Sequence, residues 1–295
     1  MRTIKIKING EYKSFDILND FLFHKVFGEN GCQKELLYVI NIFTEKNFKT
    51  LTYLPTDKKG EHDKHKASSS DVCVQISDEI IVNIEAQKQI QEGFHKRSQF
   101  YSDRIQSLFL TMGDNHEKLP FTIMINIVNF NIKHPTFKKL KKYHNAFIPC
   151  EKEQRQYSLD DISETHFIEL TKFRKDLKKG NIDLNNPKDR LMILLNEKSP
   201  EHLIKKVIKM DKFAYDVYKK AERVLQDRDG YLAYIKADMA ERDKNAQIRY
   251  GKKEGIEIGK EENNLEVAKK LKNEGVSIEI IAKATGLSVS KIKEL

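Results

Sequence analysis

Apolar residues change their spacing several times along the chain, and each change marks an element. Between residues 16 and 47, Phe21, Leu22, Phe23, Val26 and Phe27 recur at helical spacing, followed by Leu36, Leu37, Val39, Ile40 and Phe43. Gly28 to Gly31 breaks this run into two helices. A short β-rich segment, 48–54, ends at Pro55 and opens into TDKKGEHDKHKASSS, whose composition predicts a loop. In DVCVQISDEIIVNIEAQ (71–87) the period becomes two, so Val72, Val74, Ile76, Ile80, Val82, Ile84 and Ala86 form one apolar face of a hairpin. A helix is expected from about Glu92 to Met112, with Phe94, Tyr101, Ile105, Leu108 and Met112 as its buried stripe. FTIMINIVNF (121–130) is nearly all apolar and reads as a strand buried on both faces.

The order helix, strand, hairpin, helix, buried strand predicts an α/β fold. Beyond it, 166–170 reads as a short strand and 187–249 as helical. Gly251, Gly255 and Gly259, four residues apart in GKKEGIEIGKEEN, suggest a charged linker or a weak helix. The last 31 residues divide at Gly275 and at Gly286-Leu287-Ser288 into three short helices, Gly286 suiting a C-terminal cap and Ser288 an N-cap.

The hairpin has chemical consequences. For both strands to turn their apolar faces to one core, facing residues must have numbers with an even sum, and a turn centred on Asp78 sets Asp71 opposite Glu85. Facing Cβ atoms in an antiparallel pair lie roughly 4.5 to 5.5 Å apart, close enough for two carboxylates to share a divalent cation. Gln87 projects from the same face, and the Ala86 carbonyl offers another oxygen. Mg²⁺ prefers oxygen donors and keeps several waters, so two carboxylates plus a substrate phosphate suffice to hold it. On the following helix Arg97, Tyr101 and Arg104 fall at spacings of four and three, so they share one side.

Each of these residues also has an ordinary reading. An antiparallel hairpin with a polar outer face needs no catalysis to explain its acids. Arg97 reads equally as a surface ion-pair partner and Tyr101 as a core-edge aromatic. His62 and His65 have a spacing seen in metal sites but lie in the polar loop without thiolates nearby. Cys73 has no neighbour that would activate it. The segment SIEIIAKATGLSVSKI has the outline of a helix-turn-helix, but its second helix ends with the chain, so packing or homodimer contacts explain it as well as groove insertion.

Composition narrows the setting. The formal charge of +9 favours a polyanionic partner, since neutralising phosphates releases counterions. No apolar run approaches the ~18 to 20 residues of a membrane-spanning helix, and MRTIKIKINGEYKSFD has no apolar export segment. Three widely spaced cysteines argue against a disulfide framework and a thiolate zinc site, so a cytoplasmic setting is expected.

S-D-V at 70–72 followed by N-I-E-A-Q at 83–87 resembles the aspartate and E-x-Q motif of the PD-(D/E)XK nuclease family transposases, the Rpn-type recombination-promoting nucleases. N-D-F-L-F-H-K-V-F-G at 19–28, R-S-Q-F-Y-S-D-R at 97–104 and the 121–130 strand resemble the same group in order and spacing. The resemblance covers about residues 16–130. It implies a restriction-endonuclease-like core, a mixed sheet flanked by helices, over 1–180. A helical region over 181–250 and a charged linker with a small helical tail over 251–295 would follow.

The same resemblance implies Mg²⁺-dependent DNA cleavage, with Mn²⁺ able to substitute, and a link to transposition or recombination. Carried over, Asp71 and Glu85 are metal ligands and Gln87 stands where the wider superfamily has lysine. Glutamine hydrogen-bonds but brings no charge, and Lys88 beside it faces the other way along a strand. Slow cleavage, or a nuclease fold kept only for binding DNA or protein, is the alternative. Arg97, Tyr101 and Arg104 are candidate DNA contacts, and Glu35 is a candidate additional acid, as the first-helix glutamate is in related nucleases.

Overall fold

The computed structural model describes residues 5–8, 11–54, 72–109 and 115–295. Asp71, His62, His65 and Met112 lie outside the described residues. The chain divides into two compact units, Met1–Ala237 and Asp238–Leu295.

The first unit opens with a hairpin, β1 (Lys5–Ile8) and β2 (Glu11–Ser14), in which KIKI alternates so that Ile6 and Ile8 are buried and the lysines are not. The paired helices expected between residues 16 and 47 are α1 (Asp20–Phe27) and α2 (Gln33–Thr44). The Asn19 side chain caps α1 by accepting from the Leu22 amide at 3.3 Å. Gly31, at φ 94°, supplies the left-handed residue that lets the chain turn into α2. The strand β3 covers only Thr52–Tyr53 of the expected 48–54. The Tyr53 hydroxyl donates to the Phe27 carbonyl at 2.7 Å, which ties this short edge strand to the end of α1.

The hairpin is β4 (Val72–Ser77) and β5 (Ile80–Gln87), and its register, Val72 opposite Ile84 and Val74 opposite Val82, is the one the apolar pattern demanded. An irregularity at Gln75/Ser77 shifts pairing by one residue beside the turn. Helix α3 (Phe94–Ser107) returns the chain to β6 (Phe121–Val128), which lies parallel to β5 and is buried along nearly its whole length. After the short α4 (Pro135–Lys139) come β7 (His144–Phe147), which the sequence pattern did not reveal, and β8 (Ser163–Glu169). The resulting six-stranded mixed sheet has the order β3-β4-β5-β6-β8-β7, with β5, β6 and β8 parallel. Such a parallel centre requires cover on both faces.

That cover is unequal. On one face Ile84, Ala86, Ile125 and Ile168 pack against α1, α2 and the helices that follow: α5 (Leu170–Lys179), α6 (Pro187–Leu195), α7 (Glu201–Met210) and α8 (Lys212–Gln226). On the other face lies α3, and here the expected stripe is corrected. The buried residues of α3 are Phe94, Ser98 and Ser102, whereas Tyr101 and Ile105 are half-buried and Leu108 is exposed. The reason is the surface it covers: Asn83 and Glu85 on β5 and Asn126 on β6 are all buried, so small hydroxyl side chains fit beneath α3 better than leucine.

Helix α9 (Arg228–Asn273) runs unbroken through the glycine-spaced segment, so of the two expectations for 251–259 the helix is observed. Glycine costs about 1 kcal/mol at each position, but the intervening Lys, Glu and Ile favour helix, and Lys253 and Glu257 pair at 3.9 Å one turn apart. In the second unit α9 is followed by α10 (Ile278–Thr285) and α11 (Val289–Lys293). Gly286 takes the left-handed cap at φ 73°, and Ser288 Oγ accepts from the Lys291 amide at 3.2 Å, as expected. Ile281 and Ile292 close on Ala268, so the apolar residues of α10 and α11 serve packing.

Two buried polar contacts brace the sheet. Lys88 Nζ reaches Asp16 Oδ2 at 2.7 Å with both side chains nearly inaccessible, while Asp16 Oδ1 accepts from the Leu18 amide at 3.0 Å. Removing one member leaves the other charge buried, at a cost of about 3 to 5 kcal/mol. Denaturant unfolding should therefore show that loss for Asp16→Ala, and a smaller loss for the double variant Asp16→Leu, Lys88→Met than the single losses sum to.

The second contact joins His144 Nε2 to His166 Nδ1 at 2.9 Å, with Glu164 Oε1 2.9 Å from the far nitrogen of His166. That contact holds the Glu164 carboxyl below its usual range, and burial pushes His144 down to about 3. In the unfolded chain His144 takes a proton near pH 6.5 and in the folded chain it does not, so stability is full above pH 6.5 and declines as pH falls toward 3. The slope contributed approaches about 1.4 kcal/mol per pH unit. His144→Gln, which retains a donor for His166, should unfold with a correspondingly shallower dependence on pH across that window.

Candidate active site

Position in the ladder decides which way each β5 side chain points. Ile84 and Ala86 enter the aliphatic core with α1 and α2, so Glu85 between them faces α3. There it is 1% exposed. Arg97 Nη2, on α3, stands 3.0 Å from Glu85 Oε1, yet neither carboxylate oxygen has a hydrogen-bond partner among the described residues. Burial raises the carboxyl's pKa, and the guanidinium opposes that only in part. Glu85 is therefore a desolvated acid with one offset cation beside it.

Arg97 is itself positioned from two sides. Its guanidinium lies 5.0 Å from the centre of the Tyr101 ring, and Nη1 contacts Gln91 Oε1. At 100° per residue, Arg97, Tyr101 and Arg104 fall within about 60° of one another on α3, on the flank beside the buried serines. The expected grouping of these three residues is thus present, with Arg97 turned onto Glu85.

The backbone at the end of β5 is also committed. The Gln87 carbonyl accepts from the Asn129 amide at 2.9 Å, toward β6. Strand alternation turns the Ala86 carbonyl to the opposite side, where β4 ends among the described residues at Val72, opposite Ile84. Gln87 is half-buried at the strand end. Lys88 departs to the other face, where it is paired with Asp16.

Glu35 is not brought to Glu85. It sits on α2, which packs on the face of the sheet opposite α3, and its carboxylate is 2.7 Å from Lys220 Nζ of α8. That pair ties α2 to α8. Asn126 is a polar residue that sequence reasoning passed over. Its signal was visible as the one amide inside the apolar run IMINIV, where a buried amide must find partners.

A divalent cation fits the donors present in kind. Glu85 offers buried carboxylate oxygens without hydrogen bonds among the described residues, and Ala86 offers a carbonyl turned away from β6; both are hard oxygen donors suited to Mg²⁺ or Mn²⁺. Among the described residues no group of three or more His, Cys, Asp and Glu converges.

A mixed six-stranded sheet flanked by helices, with an acid buried on a central strand and a helical C-terminal region, is a PD-(D/E)XK nuclease-like fold. The chain belongs to the PD-(D/E)XK nuclease family transposases, whose family model matches residues 17–251. PD-(D/E)XK nucleases generally use divalent metals. No curated protein and no solved structure gives a match. Among the described residues no helix is long and apolar enough to cross a membrane.

Removing the desolvated charge should separate stability from binding. Without added metal, Glu85→Gln should melt at or above the wild-type temperature, because a buried carboxylate lacking hydrogen bonds costs the folded state. Mn²⁺ should raise the melting temperature of the wild type and leave that of Glu85→Gln unchanged in a thermal-shift assay.

Proposed function

We propose that this chain is a DNA endonuclease that hydrolyses phosphodiester bonds in transposition or recombination, with Asp71 and Glu85 holding Mg²⁺ or Mn²⁺ and the Ala86 carbonyl adding a third oxygen. The observation that carries this reading is the Glu85 carboxylate, buried on a central strand of a nuclease fold with neither oxygen hydrogen-bonded among the described residues. When bound, the cation supplies Lewis acidity toward the scissile phosphate and a water of lowered pKa.

The remaining work falls to this chain's own side chains. Gln87, neutral and on the same side of β5 as Glu85, orients water by hydrogen bonding and brings no charge. The positive charge that a lysine would bring there comes from Arg97. Arg97 pairs with Glu85 at 3.0 Å, and its planar donor fork would suit the scissile phosphate were Glu85 engaged by a cation. Tyr101 holds the guanidinium in place, and Arg104 on the same flank contacts the DNA backbone. The formal charge of +9 supports association with DNA and predicts binding that weakens with salt.

The Arg97–Glu85 ion pair also favours a second reading, a nuclease-derived module that binds DNA or protein without cleaving. Plasmid nicking with Mg²⁺ separates the two. Wild-type protein should nick; Asp71→Ala and Glu85→Ala should each lose about 100-fold or more, as removal of several kcal/mol of charge stabilisation requires. Arg97→Ala should lose activity more than Arg97→Lys. Equal nicking by wild type and the Asp71→Ala, Glu85→Ala double variant would exclude the endonuclease reading.

Metal binding should also depend on acidity. The raised pKa of Glu85 means that proton and cation compete at a higher pH than for an ordinary glutamate. Mn²⁺ affinity by calorimetry should fall as pH is lowered from neutral through the range, above that of an ordinary glutamate, in which Glu85 takes up its proton, and the titration should release protons into the buffer. A pH-independent affinity over that range would contradict Glu85 as a ligand.

A further inference from the structure

Beneath α3 several buried oxygens have no hydrogen-bond partner among the described residues. Glu85 on β5 and Asn126 on β6 are aligned neighbours in the parallel ladder, so their side chains leave the sheet on the same face. Asn126 is fully buried. Its Nδ2 donates to Ser98 Oγ at 2.9 Å and to the His166 carbonyl at 3.1 Å. A backbone carbonyl only accepts, so this contact fixes which end of the amide is nitrogen and leaves Oδ1 on the branch of the planar group away from β8.

Oδ1 has no hydrogen-bond partner among the described residues, nor has either Glu85 oxygen, nor Ser102 Oγ one turn along α3. A buried layer with three unsatisfied acceptor oxygens and one hydroxyl calls for a donor or a cation. Arg97, held by Tyr101 and Gln91, meets one of the three only out of hydrogen-bonding alignment.

We propose that the carboxamide oxygen of Asn126 is a further oxygen donor of the divalent-cation site anchored on Glu85. This rests on the reading of Glu85 as a metal ligand. The amide is neutral, so it adds a ligand without adding a second desolvated charge to an already costly carboxylate. Its orientation is set before any cation arrives, by the two bonds from Nδ2. Ser98 is therefore a positioning residue, and the serines along α3 have a purpose beyond close packing.

The test uses the full-length wild-type chain, labelled with ¹³C at asparagine Cγ and glutamate Cδ and titrated with Mg²⁺ by NMR. Asn126 Cγ and Glu85 Cδ should both shift and should saturate at the same Mg²⁺ concentration. A shift at Glu85 with none at Asn126 overturns this inference and leaves the metal reading of Glu85 standing. Shifts at neither overturn both.

Mn²⁺ calorimetry adds a second arm. Asn126→Ala should bind Mn²⁺ about 10- to 100-fold more weakly. Ser98→Ala removes one partner of Nδ2 but keeps Oδ1, and should stay within about threefold of the wild type. Equal weakening in the two variants would mean that Asn126 acts only through packing, and would overturn the proposal. If Asn126→Ala does not fold, the NMR titration of the wild type decides alone.

Discussion

The site depends on a carboxylate held out of water. Glu85 lies on β5, between antiparallel β4 and parallel β6, is 1% exposed, and receives no hydrogen bond among the described residues. An uncompensated charge of this kind is a drain on stability that the rest of the fold has to tolerate. What keeps it tolerable is the offset guanidinium of Arg97, itself laid on Tyr101. Under the proposed reading, a cation beside Glu85 would replace that partial compensation with a stronger one.

The architecture follows from this constraint. A parallel centre needs helices on both faces, and here the two faces have different duties. The face toward α1, α2 and α8 is aliphatic and carries most of the packing, with Asp16 and Lys88 pinning the end of β5 from that side. The face toward α3 is polar, with Asn83, Glu85 and Asn126 beneath Ser98 and Ser102. One strand, β5, therefore serves both: alternate residues anchor it in the core while those between them build the chemistry.

Much of this was legible because period-two patterning leaves little freedom of register. Val72, Val74, Val82 and Ile84 share a core only in registers of even sum, of which the observed one, centred on Asp78, is one, and the length and Ile content of FTIMINIVNF suit the interior strand observed. The caps at Gly286 and Ser288 were legible for local reasons. Helix α3 was misread because its periodicity was judged by hydrophobicity alone, although a helix over a polar strip buries serine and leaves Leu108 outside. The pairing of Glu35 with Lys220 was not legible because sequence position says nothing of the face on which a helix packs. The strand β7 has only four residues, HNAF, too few to show a period, and Asn126 was hidden by the apolar residues on either side of it.

The central claim is that the buried Glu85 carboxylate grips a divalent cation. Its most direct test is anomalous diffraction from crystals of the protein soaked in Mn²⁺. The account predicts a single anomalous peak within coordination distance of Glu85, on the α3 face of β5, with Arg97 displaced from the carboxylate. An empty site with Glu85 still paired to Arg97 at saturating Mn²⁺ would contradict it.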